Sequence, residues 1–334
     1  MDESVPPRWT GEDFLREALI ERELQSLELR ARSQSRWNIN RVALWLASIT
    51  VVSTFLVGIS AWVPIAVLLQ ALEMQTLMPV RRMMLANWVG GLQFSLGLMA
   101  ILVAHELGHY FVAKFYRVYS SPPIFIPFPL SPLGTLGAVI AMQSGQADRK
   151  QIFDIGLAGP IAGLIVAIPI LIYGIFDAQP MSYAPYKMLH IGQPLLIQWF
   201  AMWLVPQQAN EFISLTNTGA NPLLMAGWAG LLVTGLNMMP LGQLDGGHVA
   251  FGLLGQRKAL WVATITFGAV IGYLVYTQVT IFWLMLLLIL LIGLKHPPSS
   301  DDTRRLGLAR NIIGWLSLVL PILCIPANPL AVLF

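Results

Sequence analysis

Residues 88–114 read WVGGLQFSLGLMAILVAHELGHYFVAK, an apolar run long enough to cross a bilayer with His105, Glu106 and His109 set inside it. Residues four apart on a helix lie one turn above each other on one face, so the imidazoles of His105 and His109 can grip one metal ion. Glu106 follows His105 directly, where its carboxylate can reach water at the metal and act as general base. Chance supplies a His-Glu-x-x-His only about 0.002 times in a chain of this composition. Burying three ionisable groups in a transmembrane helix is costly, and such groups are functional by default.

The rest of the sequence agrees with a membrane setting. Of its 334 residues 56% are hydrophobic and 11% charged, against about 25% charged in an ordinary soluble protein. That balance excludes a water-soluble globular enzyme. Apolar runs at about 42–69, 88–113, 153–176, 222–251, 259–277 and 280–294, with a shorter proline-broken run at 311–334, predict an all-α multi-pass membrane protein. The count is about six to seven transmembrane helices, joined by one short re-entrant β-like segment. The lone cysteine, Cys324, excludes an internal disulfide and a thiolate metal cluster. A net charge of +3 in so apolar a chain gives no reason to expect a nucleic-acid partner. The 14 methionines are dispersed, as packing residues are and copper ligands are not.

Three regions follow. Residues 1–41 carry seven arginines and eight acids, among which Phe14, Leu15, Ala18, Leu19, Leu24, Leu27 and Leu29 recur at helical spacing. They read as a cytoplasmic amphipathic segment lying on a surface. Residues 42–294 form the transmembrane core, and within it residues 118–150 carry Pro122, Pro123, Pro127, Pro129 and Pro132 and then the glycine-punctuated run from Gly134 to Gln143. Non-helical backbone this apolar must be buried in protein or line a cavity. Residues 295–334 read as a cytoplasmic loop and a C-terminal apolar helix, and the external connection at about 178–221 shows no assignable period.

A catalytic zinc site usually has three protein ligands, so a third should lie at similar depth on another helix. Among eight aspartates, Asp245 is the one embedded in apolar sequence at the end of a predicted span. Pro240 and the glycines 242, 246 and 247 would loosen the helix there and allow close backbone approach. The other reading of Asp245 is an N-cap for the helix that follows. His248, three residues on, is close enough to support a ligand but reads as structural, and His190 and His296 read as solvated loop residues. Gly159 and Gly163 fit close helix packing. The stretch from Gly134 to Gln143 reads as a strand whose edge, at Gly137, Ala138, Val139 and Ile140, receives an extended peptide, with a hairpin that only plugs the bundle as the alternative.

From about residue 88 to 255 the chain resembles the site-2 proteases, which are intramembrane zinc metalloproteases. The resemblance rests on His105-Glu-Leu-Gly-His109, on Gly134-Thr-Leu-Gly-Ala138, on Asp154 with Ala158-Gly-Pro160, and on Asn237-x-x-Pro240 with Leu244-Asp245-Gly246. It implies one Zn2+ per chain held by His105, His109 and Asp245, with Glu106 activating water and Asn237 orienting the peptide or its developing oxyanion. The stretch from Lys295-His-Pro-Pro to Arg310 before a last apolar run resembles the chloroplast and cyanobacterial branch, without the extended N-terminal domain of its plant members.

The expected function is zinc-dependent cleavage of a transmembrane or membrane-proximal segment, as in regulated intramembrane proteolysis. The expected partners are a transmembrane protein substrate and the lipid bilayer. A membrane metal transporter would favour ionisable sites along a path, whereas here they gather at one depth. A non-proteolytic membrane scaffold has no need of Glu106. The expected location is a bacterial inner membrane, with a thylakoid-type membrane as the alternative.

Placing the N-terminus in the cytoplasm and alternating sides puts 17 of the 20 basic residues inside, leaving only Arg81, Arg82 and Lys187 outside. A cysteine introduced near Arg149 should therefore react with an impermeant reagent from the cytoplasmic side alone, and one near Lys187 from the opposite side. Reversed labelling would overturn the orientation.

Overall fold

Proline and glycine cut the apolar runs into more pieces than the sequence periodicity suggests. A computed structural model describes residues 39–142, 145–177, 189–208, 214–216, 221–277, 283–326 and 330–332. In chain order α1 (Ile39–Ile59) leads to α2 (Pro64–Glu73) and α3 (Met78–Phe115), and a hairpin of β1 (Ile124–Phe128) and β2 (Gly134–Val139) precedes α4 (Arg149–Phe176). Then come β3 (Leu189–Gly192), α5 (Leu195–Leu204), β4 (Ser214–Thr216), α6 (Pro222–Asn237), α7 (Asp245–Leu254) and α8 (Gln256–Thr277). The last elements are α9 (Trp283–Ile292), α10 (Leu308–Ser317), α11 (Leu320–Cys324) and β5 (Leu330–Val332). The chain divides into two compact units, residues 1–45 and 46–334, and the second carries every element named above apart from the first residues of α1. The expected amphipathic helix over residues 14–29 lies outside the described residues, as do Gln143 and residues 178–188 with Lys187.

Among the described residues four helices, α1, α3, α4 and α8, are long and apolar enough to cross a membrane. The expected run at 42–69 is instead two helices, because Ala61 and Trp62 take left-handed backbone conformations (φ 50° and 64°) and Pro64 starts the next helix. The run at 222–251 breaks into α6 and α7 across Pro240, and the run at 311–334 into α10, α11 and a strand. The described part of the run at 280–294 is the ten-residue α9. In the other direction, α3 extends the predicted 88–113 to 38 residues, about 57 Å at 1.5 Å per residue and well beyond a ~30 Å hydrocarbon core.

The re-entrant segment is an antiparallel hairpin with Phe125 opposite Ala138 and Ile124 opposite Val139. A second small sheet, in the order β4-β3-β5, was not expected from an all-α reading; it pairs the connection between α4 and α6 with the C-terminal strand and places His190 on β3 and not in a loop. Three-residue strands such as β4 and β5 are too short to leave a two-residue period in the sequence.

Helix α4 is the centre of the bundle and packs on α3, α6 and α7. Its core with α3 and α6 includes Phe94, Leu98, Leu171, Ile175, Leu224 and Trp228, all buried. Lipid is as apolar as these side chains, so close packing of small residues, and not transfer from water, must hold the helices together. Asn221 shows how tightly α4 and α6 meet. Its side chain accepts from Leu224 N–H at 2.7 Å as the N-cap of α6, while its amide donates to the carbonyls of Gly174 and Asp177 at the end of α4. A Cβ added to Gly174 would lie 2.4 Å from the Leu224 backbone nitrogen.

Gly174→Ala should accordingly destabilise the fold by about 1–3 kcal/mol, read as a lowered melting temperature in detergent. Gly268→Ala on α8, where an added Cβ meets open space, is the matched control and should change stability by less than about 1 kcal/mol.

Candidate metal centre

The three side chains singled out as ligands converge on one point. Nε2 of His105 lies 3.0 Å from one Asp245 carboxylate oxygen, Nε2 of His109 lies 3.2 Å from the other, and the two Nε2 atoms are 3.2 Å apart. Tetrahedral zinc with bonds of about 2.0–2.1 Å requires donor atoms about 3.3 Å apart, so each of these separations is close to one edge of that tetrahedron, with the two imidazoles facing different oxygens of the carboxylate. Two imidazoles and a carboxylate also form a donor set that zinc accepts.

Each ligand is set by its neighbours. His109 Nδ1–H donates to the Ile155 carbonyl at 2.7 Å, which leaves the Nε2 lone pair free for a metal. The glycines of α4 make the room: a Cβ at Gly159 would lie 2.0 Å from His109 Nε2, and one at Gly163 would lie 3.2 Å from His105 Nδ1. The third glycine of this face, Gly156, meets His248 in the same way, with 2.6 Å to the His248 Cβ. The sequence spacing points to helix packing; the structure shows that the close-packed partners are the imidazoles themselves.

Asp245 is the first residue of α7 and Leu244 is its N-cap, so the capping alternative for Asp245 does not hold. The chain reaches this point by folding back on itself. Gly242 has φ +49°, and a Cβ at Gly246 would lie 2.0 Å from the Met238 carbonyl oxygen. Arg149, at the start of α4, donates to the carbonyls of Gly252 (2.8 Å) and Leu253 (3.2 Å), closing the far end of the helix that carries Asp245. Asp154, one turn along α4, accepts from Tyr116 (2.6 Å) and from Nε and Nη2 of Arg310 (2.7 and 2.9 Å).

Glu106 is buried and lines the same cavity, of about 130 Å3, as the three ligand side chains. Asn237 is the last residue of α6, and its amide nitrogen comes within 3.4 Å of His105 Nε2. Ala138, Val139 and Ile140 border the cavity on the hairpin side, but Gly137 does not line it; Gly137 is buried with φ +98°, a conformation that suits glycine alone. Gln243 and Met142 also line the cavity without having been singled out, although Gln243 lies only two residues before Asp245. His296 corrects the expectation of a solvated loop residue, because it is buried, stacked on Phe251 and hydrogen-bonded to His248. Nothing in the run Lys295-His-Pro-Pro signals that burial locally, since both contacts come from α7.

Gly159→Ala should displace His109 from the cluster. The expected result is folded protein whose zinc affinity falls by at least about tenfold, measured as metal content after dialysis against a buffered zinc solution.

Residues 93–277 match the model of the family described as "Peptidase family M50", a segment of more than half the chain that begins in α3 and ends with α8. The Arabidopsis thaliana protein named "Probable zinc metalloprotease EGY1, chloroplastic" is 33% identical over 179 residues, covering 53% of this chain and 31% of that protein. "Probable zinc metalloprotease EGY2, chloroplastic", also from Arabidopsis thaliana, is 29% identical over 218 residues, covering 64% of this chain and 38% of that protein. "Probable zinc metalloprotease EGY3, chloroplastic" from Oryza sativa subsp. indica is 25% identical over 244 residues, covering 69% and 40%. The chain thus spans between about a third and two fifths of the length of these relatives. The matched segment contains His105, Glu106, His109, Asn237 and Asp245 together, and the chain belongs to peptidase family M50, the site-2 protease family.

Proposed function

We propose that the chain is a zinc-dependent endopeptidase that cleaves a transmembrane or membrane-proximal segment of a membrane protein. The observation that carries this reading is the cluster of His105, His109 and Asp245, whose facing nitrogen and oxygen atoms are 3.0–3.2 Å apart, with Glu106 in the same cavity. Membership of a peptidase family, and relatives named zinc metalloproteases, support it.

His105, His109 and Asp245 would hold one Zn2+ per chain. When bound, zinc supplies Lewis acidity, which polarises the scissile carbonyl and makes water at the site more acidic. Glu106 takes the proton of the attacking water and later hands it to the leaving amine. Asn237 orients the peptide or the carbonyl oxygen as it gains negative charge. The hairpin edge at Ala138, Val139 and Ile140 receives the peptide in extended form, and Gly137 shapes the strand next to them. A helical substrate keeps its carbonyls hydrogen-bonded, so the cleaved segment must unwind, and its freed N–H and C=O groups need partners that an apolar strand edge supplies.

The same reading has the N-terminus cytoplasmic, residues 1–41 as a surface segment, residues 42–294 as the transmembrane protease core and residues 295–334 as a cytoplasmic loop with a final apolar segment. The shorter apolar helices, among them α6 and α10 with α11, would make up the further crossings beyond the four long ones. The chloroplast names of the relatives support a thylakoid-type membrane.

Two variants separate the roles. Glu106→Gln keeps the shape and removes the base, so it should retain zinc while cleavage of a model single-pass substrate falls by about 10²–10⁴-fold. Asp245→Ala opens the ligand set, so zinc content in the folded protein should fall together with activity. Unchanged cleavage in Glu106→Gln would overturn the proposed chemistry.

A further inference from the structure

Two histidines outside the ligand set form a chain of hydrogen bonds whose polarity can be read from its end. The carbonyl of Pro297 can only accept, so His296 Nδ1, 2.6 Å away, carries a proton and donates it. Burial holds the pKa of His296 below its usual value, so this ring is neutral and its Nε2 is a bare lone pair. That lone pair faces His248 Nδ1 at 2.7 Å, which must therefore be the protonated nitrogen of His248. In the neutral imidazole the remaining nitrogen, His248 Nε2, is then also bare, and no described residue hydrogen-bonds to it. The ring cannot easily turn to exchange the two. His296 is clamped by stacking on Phe251, with ring centroids 4.1 Å apart and planes 5° from parallel, and its carbonyl accepts from Gln256 at 2.9 Å. The His248 Cβ sits directly over Gly156.

His248 lines the same cavity as Glu106 and the ligand side chains. The other polar side chains there are the three ligands, Glu106 as the base, and the amides of Asn237 and Gln243; an amide can donate as well as accept, whereas a bare imidazole nitrogen can only accept. The hairpin edge at Ala138, Val139 and Ile140 is another part of the cavity lining. A peptide laid along that edge pairs on one side only, and the N–H groups on its other side need partners from the rest of the cavity lining, because leaving them buried and unpaired is costly.

We propose that His248 is a substrate-binding residue whose Nε2 accepts a hydrogen bond from a backbone N–H on the side of the extended peptide that faces away from β2, with His296 as the positioning residue that fixes its tautomer. The proposal rests on the protease reading above. It adds a specificity rule: a residue without a backbone N–H, such as proline, is disfavoured at that one substrate position.

The test uses the zinc-loaded protein and a synthetic single-span peptide, scanned through its cleavage region with N-methylated residues. In the wild type, N-methylation at one position outside the β2-paired set should raise KM about tenfold with kcat unchanged, the signature of a bond made equally in ground and transition states. His248→Phe should raise KM for the parent peptide by a similar factor and lose the sensitivity at that position, with zinc content intact. His248→Gln, whose side-chain oxygen can stand near the place of Nε2, should restore it. Nitrogen-15 spectra of histidine-labelled protein should show His248 protonated at Nδ1 and bare at Nε2, and His296→Phe should mix the two tautomers. A proton on His248 Nε2 in the wild type, or a scan unchanged by His248→Phe, overturns the proposal. A wild-type protein that cleaves none of the peptides gives a different result, because it overturns the protease reading and this inference with it.

Discussion

The face of α4 formed by Gly156, Gly159 and Gly163 lets two other helices bring histidines against its backbone, and the geometry of the centre follows from that contact. In lipid there is little gain from bringing one apolar side chain against another, so helices meet where their backbones can approach. Here the space left by three missing side chains is filled by imidazoles: His109 and His105 from α3, and His248 from α7. The approach also brings the Ile155 carbonyl within reach of His109 Nδ1, so the same close contact that positions the ring selects its tautomer. A helix with ordinary side chains at these positions would hold α3 away and leave the two histidines on a lipid-like surface.

The second requirement is that a carboxylate arrive from another helix at the same point. A continuous helix through residues 222–254 would carry Asp245 along a straight axis, whereas the break between α6 and α7 folds the chain back so tightly that Gly246 lies against the Met238 carbonyl. Asp245 then opens a new helix, where a negative charge also suits the N-terminal end of the dipole. Arg149 holds the other end of that short helix, and the Tyr116, Asp154 and Arg310 contacts tie the ends of α3, α4 and α10 together nearby. The segment after α9 is drawn into the same region, since Ser300 N–H donates to the Ala147 carbonyl and Arg149 N–H to that of Asp301. It is this docking that buries His296 beside His248.

Much of this was legible one residue at a time. His105, Glu106 and His109 announce themselves because ionisable groups at helical spacing are rare in an apolar run, and Asp245 because it is an isolated acid among prolines and glycines. The glycines at 242, 246 and 247 pointed correctly to close backbone approach. The number of helices was less legible. A stretch such as 42–69 has the same composition whether or not the chain turns at Ala61 and Trp62, and neither residue type favours the left-handed conformation that it adopts there.

The sequence by itself determined the membrane setting, the pair of histidines with their neighbouring glutamate, and the aspartate suited to complete a metal site, because burial cost and helical spacing are local properties of a chain. Only the tertiary structure decided that the two imidazoles and the carboxylate face one another at about one tetrahedral edge, that Gly159 and Gly163 of α4 pack on imidazoles and not on a neighbouring backbone, and that His296 is inside and not in water. Those outcomes depend on contacts between residues up to 140 positions apart, and no local pattern encodes which distant backbone will fill the space that a glycine leaves.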